Sequence, residues 1–346
     1  MNRPRTTTIN PNGTPSDEPG PLRFVFFGES IVSDRGYPPA TTARAVMRAL
    51  VRDGHEALFL EERRNRPTVE LLRARGSSAL RAFLERYPDL HYRTYELPTG
   101  LERTVWFVRQ IATVDAGIFL DDVPSGLFEE AARLNARHLV LVDWSTKGHD
   151  SDLAWADLRL RPAGTEAGSG TITCGPAVER MPPDTDDARS GLLLVAYDDQ
   201  ETAAAARDAL AEFDPECLSA GSVSGEDWPF VPEVELSDRY RRASVAVVTG
   251  AGDDPFAAAR VLLPVAAGCQ TIAVSSPGAD EAVSEPPVLR ASLADLPERV
   301  ASLLCSSATA PWVELPDRYD AAVAARRMVE AVRQAHLVRL AGAPPR

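Results

Sequence analysis

Hydrophobic and polar positions alternate along this chain between short apolar runs and longer stretches with helical spacing. Phe24 to Phe27 is continuous, aromatic or β-branched, and ends at Gly28, which is the pattern of a strand buried on both faces of a parallel sheet. From Thr41 or Thr42 the residues Ala45, Val46, Ala49 and Leu50 recur at helical intervals and stop at Asp53–Gly54, where glycine can take the left-handed conformation that ends a helix. His55 to Leu60 predicts a second strand, completing a βαβ unit whose handedness fixes the helix on one face of the sheet. The same reading predicts a helix over Val69 to Tyr87, a strand over Tyr92 to Leu97, a helix over Leu101 to Thr113, and a strand over Ala116 to Leu120. A helix over Gly126 to Asn135 and a strand over His138 to Val142 follow. The apolar strands end in Gly28–Glu29, Glu61–Glu62, Asp121–Asp122 and Asp143, and the carboxyl edge of an open α/β sheet is where ligands bind.

Between Arg161 and Gly191 the pattern lapses into Gly, Pro, Thr and Asp, with Pro182–Pro183–Asp184 as the strongest breaker. It resumes with a strand over Leu192 to Ala196, an Ala-rich helix over Glu201 to Phe213, a strand over Val245 to Thr249, a helix over Pro255 to Ala267, a strand over Thr271 to Val274 and a helix over Leu296 to Leu304. Arg318 to Leu340 reads as a long amphipathic helix. The expectation is an α/β protein of two Rossmann-like halves: a disordered tail over 1–20, a first domain over 21–165, a linker over 166–190, a second domain over 191–310, and a final helix and tail over 311–346.

Length agrees with this division, because 346 residues exceed what one hydrophobic core usually serves. The chain is 44% hydrophobic and 25% charged, and no apolar run approaches the ~20 residues that span a bilayer. Met1 to Gly20 lacks the apolar centre of a secretory signal. Cys174, Cys217, Cys269 and Cys305 are widely separated, so neither a zinc site nor a disulfide framework is indicated, and a cytoplasmic location is expected. The net charge of −13 opposes neutralisation of a phosphate backbone, so nucleic acid is not an expected partner.

Several chemistries are excluded by motif. The first strand is not followed by Gly-x-Gly-x-x-Gly, whose glycines let a dinucleotide pyrophosphate approach the backbone. A Walker lysine, a His-Glu-x-x-His helix and a Gly-x-Ser-x-Gly elbow are also missing. What remains is carboxylates at strand ends and a glycine-rich turn. Glu29, one residue past the first strand, and Asp34 in the following loop are the best-placed general bases, with Asp121 and Asp122 after a later strand as second choices. Asp143 either lines the same edge or caps a turn, and His55 reads as a packing residue. Gly250–Ala251–Gly252 ahead of a helix offers backbone N–H groups to a diphosphate, and Arg260 offers a cation.

Phe26–Phe27–Gly28–Glu29–Ser30, Pro39–Ala40–Thr41–Thr42–Ala43–Arg44, and the stretch from Arg48 through Gly54–His55 to Phe59–Leu60–Glu61 resemble the amino-terminal unit of GT-B glycosyltransferases. They are most similar to the group related to the spore-maturation protein CgeB. In the second half, Tyr240–Arg241–Arg242–Ala243–Ser244 and the run from Arg260 to Ile272 resemble that family's donor-binding segment, with Arg260 and Gly268 in place. The family's ribose-binding glutamate falls on Leu263, which accepts no hydrogen bond, and Pro264 follows inside the same expected helix. The resemblance implies two Rossmann-like domains facing across a cleft, with the final helix crossing back. It implies a nucleotide-sugar donor held near Gly250, Gly252, Arg260, Leu263, Gly268 and Thr271. A small-molecule or glycan acceptor would lie near Gly28, Ser30, Thr41, Asp121, Asp122 and Asp143. Sugar would pass to a hydroxyl with Glu29 or Asp34 as base, and without a metal or other cofactor. A catalytically degenerate GT-B protein acting as a binding or partner subunit is the alternative, and a sugar-nucleotide epimerase or hydrolase using the same cleft without an acceptor is a third reading.

Overall fold

A computed structural model of the chain describes residues 20–33, 35, 37, 39–121, 123, 126–133, 139–144, 156–161, 171–181, 189, 191–223, 225–251, 258–274, 288–306 and 315–341. The tail over 1–19 and most of the 166–190 linker lie outside these residues, as do Asp34, Asp122 and Gly252.

The first sheet is parallel and seven-stranded. Its members are β1 (Arg23–Phe27), β2 (Glu56–Glu62), β3 (His91–Tyr95), β4 (Ala116–Leu120), β5 (Val140–Trp144), β6 (Leu158–Arg161) and β7 (Thr171–Thr173), in the order β3-β2-β1-β4-β5-β6-β7. β1 is central, with Phe26 level with Phe59 on one side and Ile118 on the other. Its side chains alternate between two cores, as period two requires. Phe24 and Phe26 join Val46 and Leu50 of α1 (Pro39–Arg52). Val25 and Phe27 join Phe107 and Ile111 of α4 (Gly100–Ile111) and Leu127 of α5 (Leu127–Arg133). Phe27 stacks between Phe107 and Phe119, with ring centroids 5.5 and 4.7 Å away.

The second sheet comprises β8 (Leu192–Ala196), β9 (Glu216–Ser219), β10 (Val245–Thr249), β11 (Gln270–Val274) and β12 (Val288–Ala291), all parallel, in the order β12-β11-β10-β8-β9. One face packs on α8 (Ala258–Ala266) and α7 (Glu233–Arg242), the other on α6 (Gln200–Ala209) and α9 (Leu296–Ser306). The chain then returns to the first half. Ala321, Ala324, Ala325, Met328, Val329 and Val332 of α10 (Ala321–Leu340) share the core of α1, and Arg339 binds Asp157 and the Leu139 carbonyl beside β5. The expected crossing helix is therefore present.

Two elements differ from expectation in an instructive way. The helix expected over Val69 to Tyr87 is two helices, α2 (Arg66–Arg75) and α3 (Ser77–Arg86), because Gly76 takes φ +66° and bonds back to the Leu72 carbonyl. Asn65 caps the first through Thr68 N–H. The Ala-rich helix ends at Ala209 and gives way to a short 3₁₀ turn at Ala211–Phe213. Strands β6, β7, β9 and β12 carry no apolar run long enough to announce them, and β7 falls within the segment read as linker. All four cysteines are free thiols, and no described helix is long and apolar enough to cross a membrane.

Candidate functional site

In each sheet the strand order reverses once, and the carboxyl ends of the two strands that flank such a reversal are where an open α/β sheet places its ligand crevice. In the first sheet this point lies between β1 and β4, so the crevice is bounded by Gly28–Glu29 and Asp121. In the second it lies between β8 and β10, bounded by Asp198 and Gly250. The two carboxyl edges face each other through two helix starts. Thr41 and Arg44, at the beginning of α1, contact Glu233, the first residue of α7.

The first crevice is built on close packing. A side chain at Gly28 would bring its Cβ within 2.7 Å of Phe59 Cζ and 2.8 Å of Tyr37 Oη, so any larger residue here would have to displace those side chains. The Tyr37 hydroxyl donates to the Asp121 carbonyl at 2.9 Å, tying the loops after β1 and β4 together. Glu29 is partly exposed at this point, and its charge raises the pKa of Arg66 as a minor contribution behind Glu70. Ser30 is fully buried, with its Oγ 2.9 Å from Thr68 Oγ1 and accepting the Ser33 N–H at 3.1 Å.

Beneath this loop lies Glu61 at the carboxyl end of β2. It is 1% exposed, and its Oε2 accepts the Ile31 N–H at 2.8 Å. Ser30, Asn65 and the Val32 N–H stand close by, but Oε1 makes no hydrogen bond of ordinary geometry. Burial dominates, raising this carboxyl to about 7 against the hydrogen bonds that favour its ionised form. Asp143, at the end of β5, is committed to Arg161 Nη2 at 2.8 Å in the interior of the first half. His55 accepts the Leu22 N–H on Nδ1 and meets Phe24 edge-on; burial lowers its pKa, which suits a neutral packing ring.

The second crevice is tighter. The pairing of β8 and β10 continues past both strands, through Tyr197 N–H to the Thr249 carbonyl and Asp198 N–H to the Gly250 carbonyl. Gly250 has φ +61°, and a Cβ there would lie 2.6 Å from Asp199 N. Asp198 accepts from Ser222 N–H and Oγ on one oxygen and from Arg260 Nη1 at 2.8 Å on the other. Arg260 is 1% exposed; Nη1 also donates to the Ala251 carbonyl, and its guanidinium lies 4.7 Å from the Tyr197 ring centroid. Leu263 is buried in the apolar core between α8 and the sheet. Proline at 264 is carried inside α8, and the helix closes at Gly268, φ +82°. Gly268 and Thr271 sit at the amino end of β11, where Thr271 Oγ1 donates to the Cys269 carbonyl at 3.2 Å.

The structure thus brings Gly28, Glu29, Ser30, Thr41 and Asp121 to one edge and Gly250 and Arg260 to the facing one. Gly268 and Thr271 lie at the opposite end of their sheet, and Leu263 points into a core. Asp198, Glu61, Arg44 and Glu233 are the functional candidates that sequence reading did not single out. Asp198 follows a strand end, the signal that selected Glu29, and Glu61 was visible as a strand end; nothing local marks Glu233. Among the described residues no cluster of three or more His, Cys, Asp and Glu is placed to hold a metal ion. A recess of about 380 Å³ lined by Pro98, Leu101, Val105 and Trp106 belongs to α4 and the loop after β3, apart from the β1–β4 crevice.

No protein-family model matches the chain, and no curated protein matches it in sequence. Solved structures do. An alpha-glucosyltransferase in complex with UDP and a 13-mer DNA aligns over 92% of this chain and 96% of its own, at 10% identity and a TM-score of 0.57. The fold is GT-B. The UDP-GlcNAc 2-epimerase of Methanocaldococcus jannaschii, in complex with UDP-GlcNAc and UDP, aligns over 91% of this chain and all of its own, at 10% identity and a TM-score of 0.52. The S. aureus MnaA–UDP co-structure covers 90% and 96% at 9% identity and a TM-score of 0.51. A GT-B fold accommodates both transferase and epimerase neighbours, so the architecture alone does not name a reaction.

Proposed function

We propose that the chain is a GT-B glycosyltransferase that moves a sugar from a nucleotide-sugar donor on the second half to a hydroxyl of a small-molecule or glycan acceptor on the first. The observation that carries this reading is that each half has a topological switch point and that the halves meet through the starts of α1 and α7, with the partly exposed Glu29 at the first switch point. The resemblance of Phe26 to Glu61 to the CgeB-related group adds to it, as do neighbours bound to UDP. In this reading Glu29 takes the proton of the acceptor hydroxyl as its oxygen attacks the anomeric carbon, and the nucleoside diphosphate leaves toward Gly250 and the start of α8. Backbone N–H groups and Arg260 balance its charge without a metal. Asp34, outside the described residues, stays the alternative base. A net charge of −13 favours a neutral acceptor over nucleic acid.

One observation favours a second reading, a GT-B protein that binds without catalysis. Arg260 is already engaged by Asp198, and the position of the family's ribose-binding glutamate is packed into a core as Leu263. Thermal stability with UDP, GDP, dTDP and their sugar conjugates separates the two. A ligand at about a hundredfold its Kd stabilises by about 2.7 kcal/mol, a shift of several degrees in Tm. No shift across the panel at millimolar concentration removes the donor-binding reading. If binding is found, Glu29→Gln is expected to abolish transfer at unchanged nucleotide affinity; full turnover in Glu29→Gln excludes Glu29, and full turnover in Asp34→Asn excludes Asp34.

A further inference from the structure

We propose that Arg44 and Glu233 are positioning residues: they hold the loop that carries Glu29, so that docking of the second half onto the first orders the candidate base. The loop leaves β1 at Gly28 and is gripped at the Ile31 peptide from both sides. Its N–H donates to Glu61 Oε2 at 2.8 Å, and its carbonyl accepts from Arg44 Nη1 at 2.8 Å. The other amino group of Arg44 donates to Thr41 Oγ1 at 3.3 Å and pairs with Glu233, which also accepts from Thr41 Oγ1 at 2.8 Å. The chain of contacts therefore runs from the end of β2, through the Ile31 peptide and α1, to the first residue of α7 in the other half.

Burial makes this arrangement a coupling. Glu61, Arg44 and Glu233 are all withdrawn from water. A buried guanidinium deprived of its counter-charge is strongly destabilised where it stands, whereas an exposed one simply hydrates. When Glu233 is removed, Arg44 turns toward solvent and the Ile31 carbonyl loses a charged donor. The same loop meets the second half at another point, where the Arg35 guanidinium lies 4.7 Å from the Phe230 ring centroid. By contrast, Arg75 bridges to Glu235 and to the Phe230 carbonyl across the same interface on exposed side chains, with no hydrogen bond or ion pair to the described residues of this loop.

Assigning Glu29 a catalytic role rests on the glycosyltransferase reading; the clasp on the loop is read without any substrate. Hydrogen–deuterium exchange of the full chain tests it, following the amides of Ser30 to Ser33. Because Glu233→Ala leaves a buried charge and can loosen the whole interface, the decisive variant is the double substitution Arg44→Met with Glu233→Leu, which keeps volume and removes both charges. Exchange in the loop is expected to rise at least about tenfold, the effect of losing a hydrogen bond to a charged group. Protection in β4 and β8 should stay at the parent's level, and Glu235→Ala should leave the loop unchanged. A double variant with protected strands and parental exchange in the loop overturns the proposal, as does an equal rise in Glu235→Ala. Failure of every nucleotide to bind would remove the glycosyltransferase reading and leave the exchange result to decide the clasp.

Discussion

The two switch points of this molecule are assembled from the same parts and closed to different degrees. At the first, glycine lets β1 end against Phe59 and Tyr37, both of which are side chains, and the loop beyond it presents a partly exposed Glu29. At the second, glycine lets β10 end directly against the backbone of Asp198 and Asp199, and Arg260 is turned inward onto Asp198. A crevice bordered by side chains can adjust to a ligand by changing rotamers, whereas one closed by main-chain contacts opens only if the strand ends part. In the proposed reaction the acceptor side would therefore adapt by rotamer changes, and the donor side would exchange the Arg260–Asp198 pair for a contact with the diphosphate.

Substituting the two glycines sharpens this contrast and should give the largest effect. Gly250→Ala combines a left-handed φ with a Cβ 2.6 Å from a backbone nitrogen, so a loss of roughly 3 kcal/mol or more in unfolding free energy is expected. Gly28→Ala meets a phenyl edge and a hydroxyl that can give way, and about 1–2 kcal/mol is expected. Urea titration of both variants checks the ranking; equal losses would mean that the two crevices are equally rigid.

Next comes the proton balance under the first crevice. The Glu61 carboxyl titrates near 7 in the folded protein against about 4.5 when exposed, so between those values the folded state holds a proton that the unfolded state has lost. Its contribution is therefore full below the exposed value, declines as pH rises, and levels off above about 7. Tyr92, on the same face of the sheet as Glu61, and Tyr95, on the opposite face, are neutral throughout this range; burial raises both hydroxyls, and the Glu61 charge adds to both shifts. Glu61→Gln should abolish this slope, so that the variant gains on the parent by up to about 3 kcal/mol between pH 5 and pH 8. Parallel stability profiles for the two proteins would show that burial of Glu61 is not felt. The smallest effect belongs to the exposed part of the domain contact: Glu235→Ala should cost no more than about 0.5 kcal/mol, measured by the same titration.

The sequence was most informative where burial is continuous. Phe24 to Phe27, Ala116 to Leu120, Leu192 to Ala196 and Val245 to Val248 are uninterrupted apolar runs because each lies inside its sheet and is covered on both faces. Edge and outer strands escaped notice for the converse reason. Leu158–Arg161, Glu216–Ser219 and Val288–Ala291 are four residues long and partly exposed, so their side chains owe less to the core. Helix α7 was missed because its sequence, EVELSDRYRR, is dominated by charges, although Leu236 and Tyr240 are fully buried.

For the candidate site the division is similar. Gly28–Glu29, Asp121 and Gly250 were legible because strand ends follow from hydrophobic periodicity, and the carboxyl edge of a parallel sheet is a consequence of topology. Which of these groups face a ligand and which face one another was decided by contacts between distant residues. Arg44 meets Glu233 across 189 positions of sequence, and Arg260 meets Asp198 across 62. By itself the sequence determined two parallel α/β halves and the chemistry available at their edges, because burial repeats at fixed periods and leaves its mark on composition. Only the tertiary structure decided that Arg260 is neutralised, that position 263 is core, and that the loop of Glu29 is held from the opposite half. Charges are written in the sequence without their partners, and it is the partner, together with the water excluded around the pair, that sets what a charge can do.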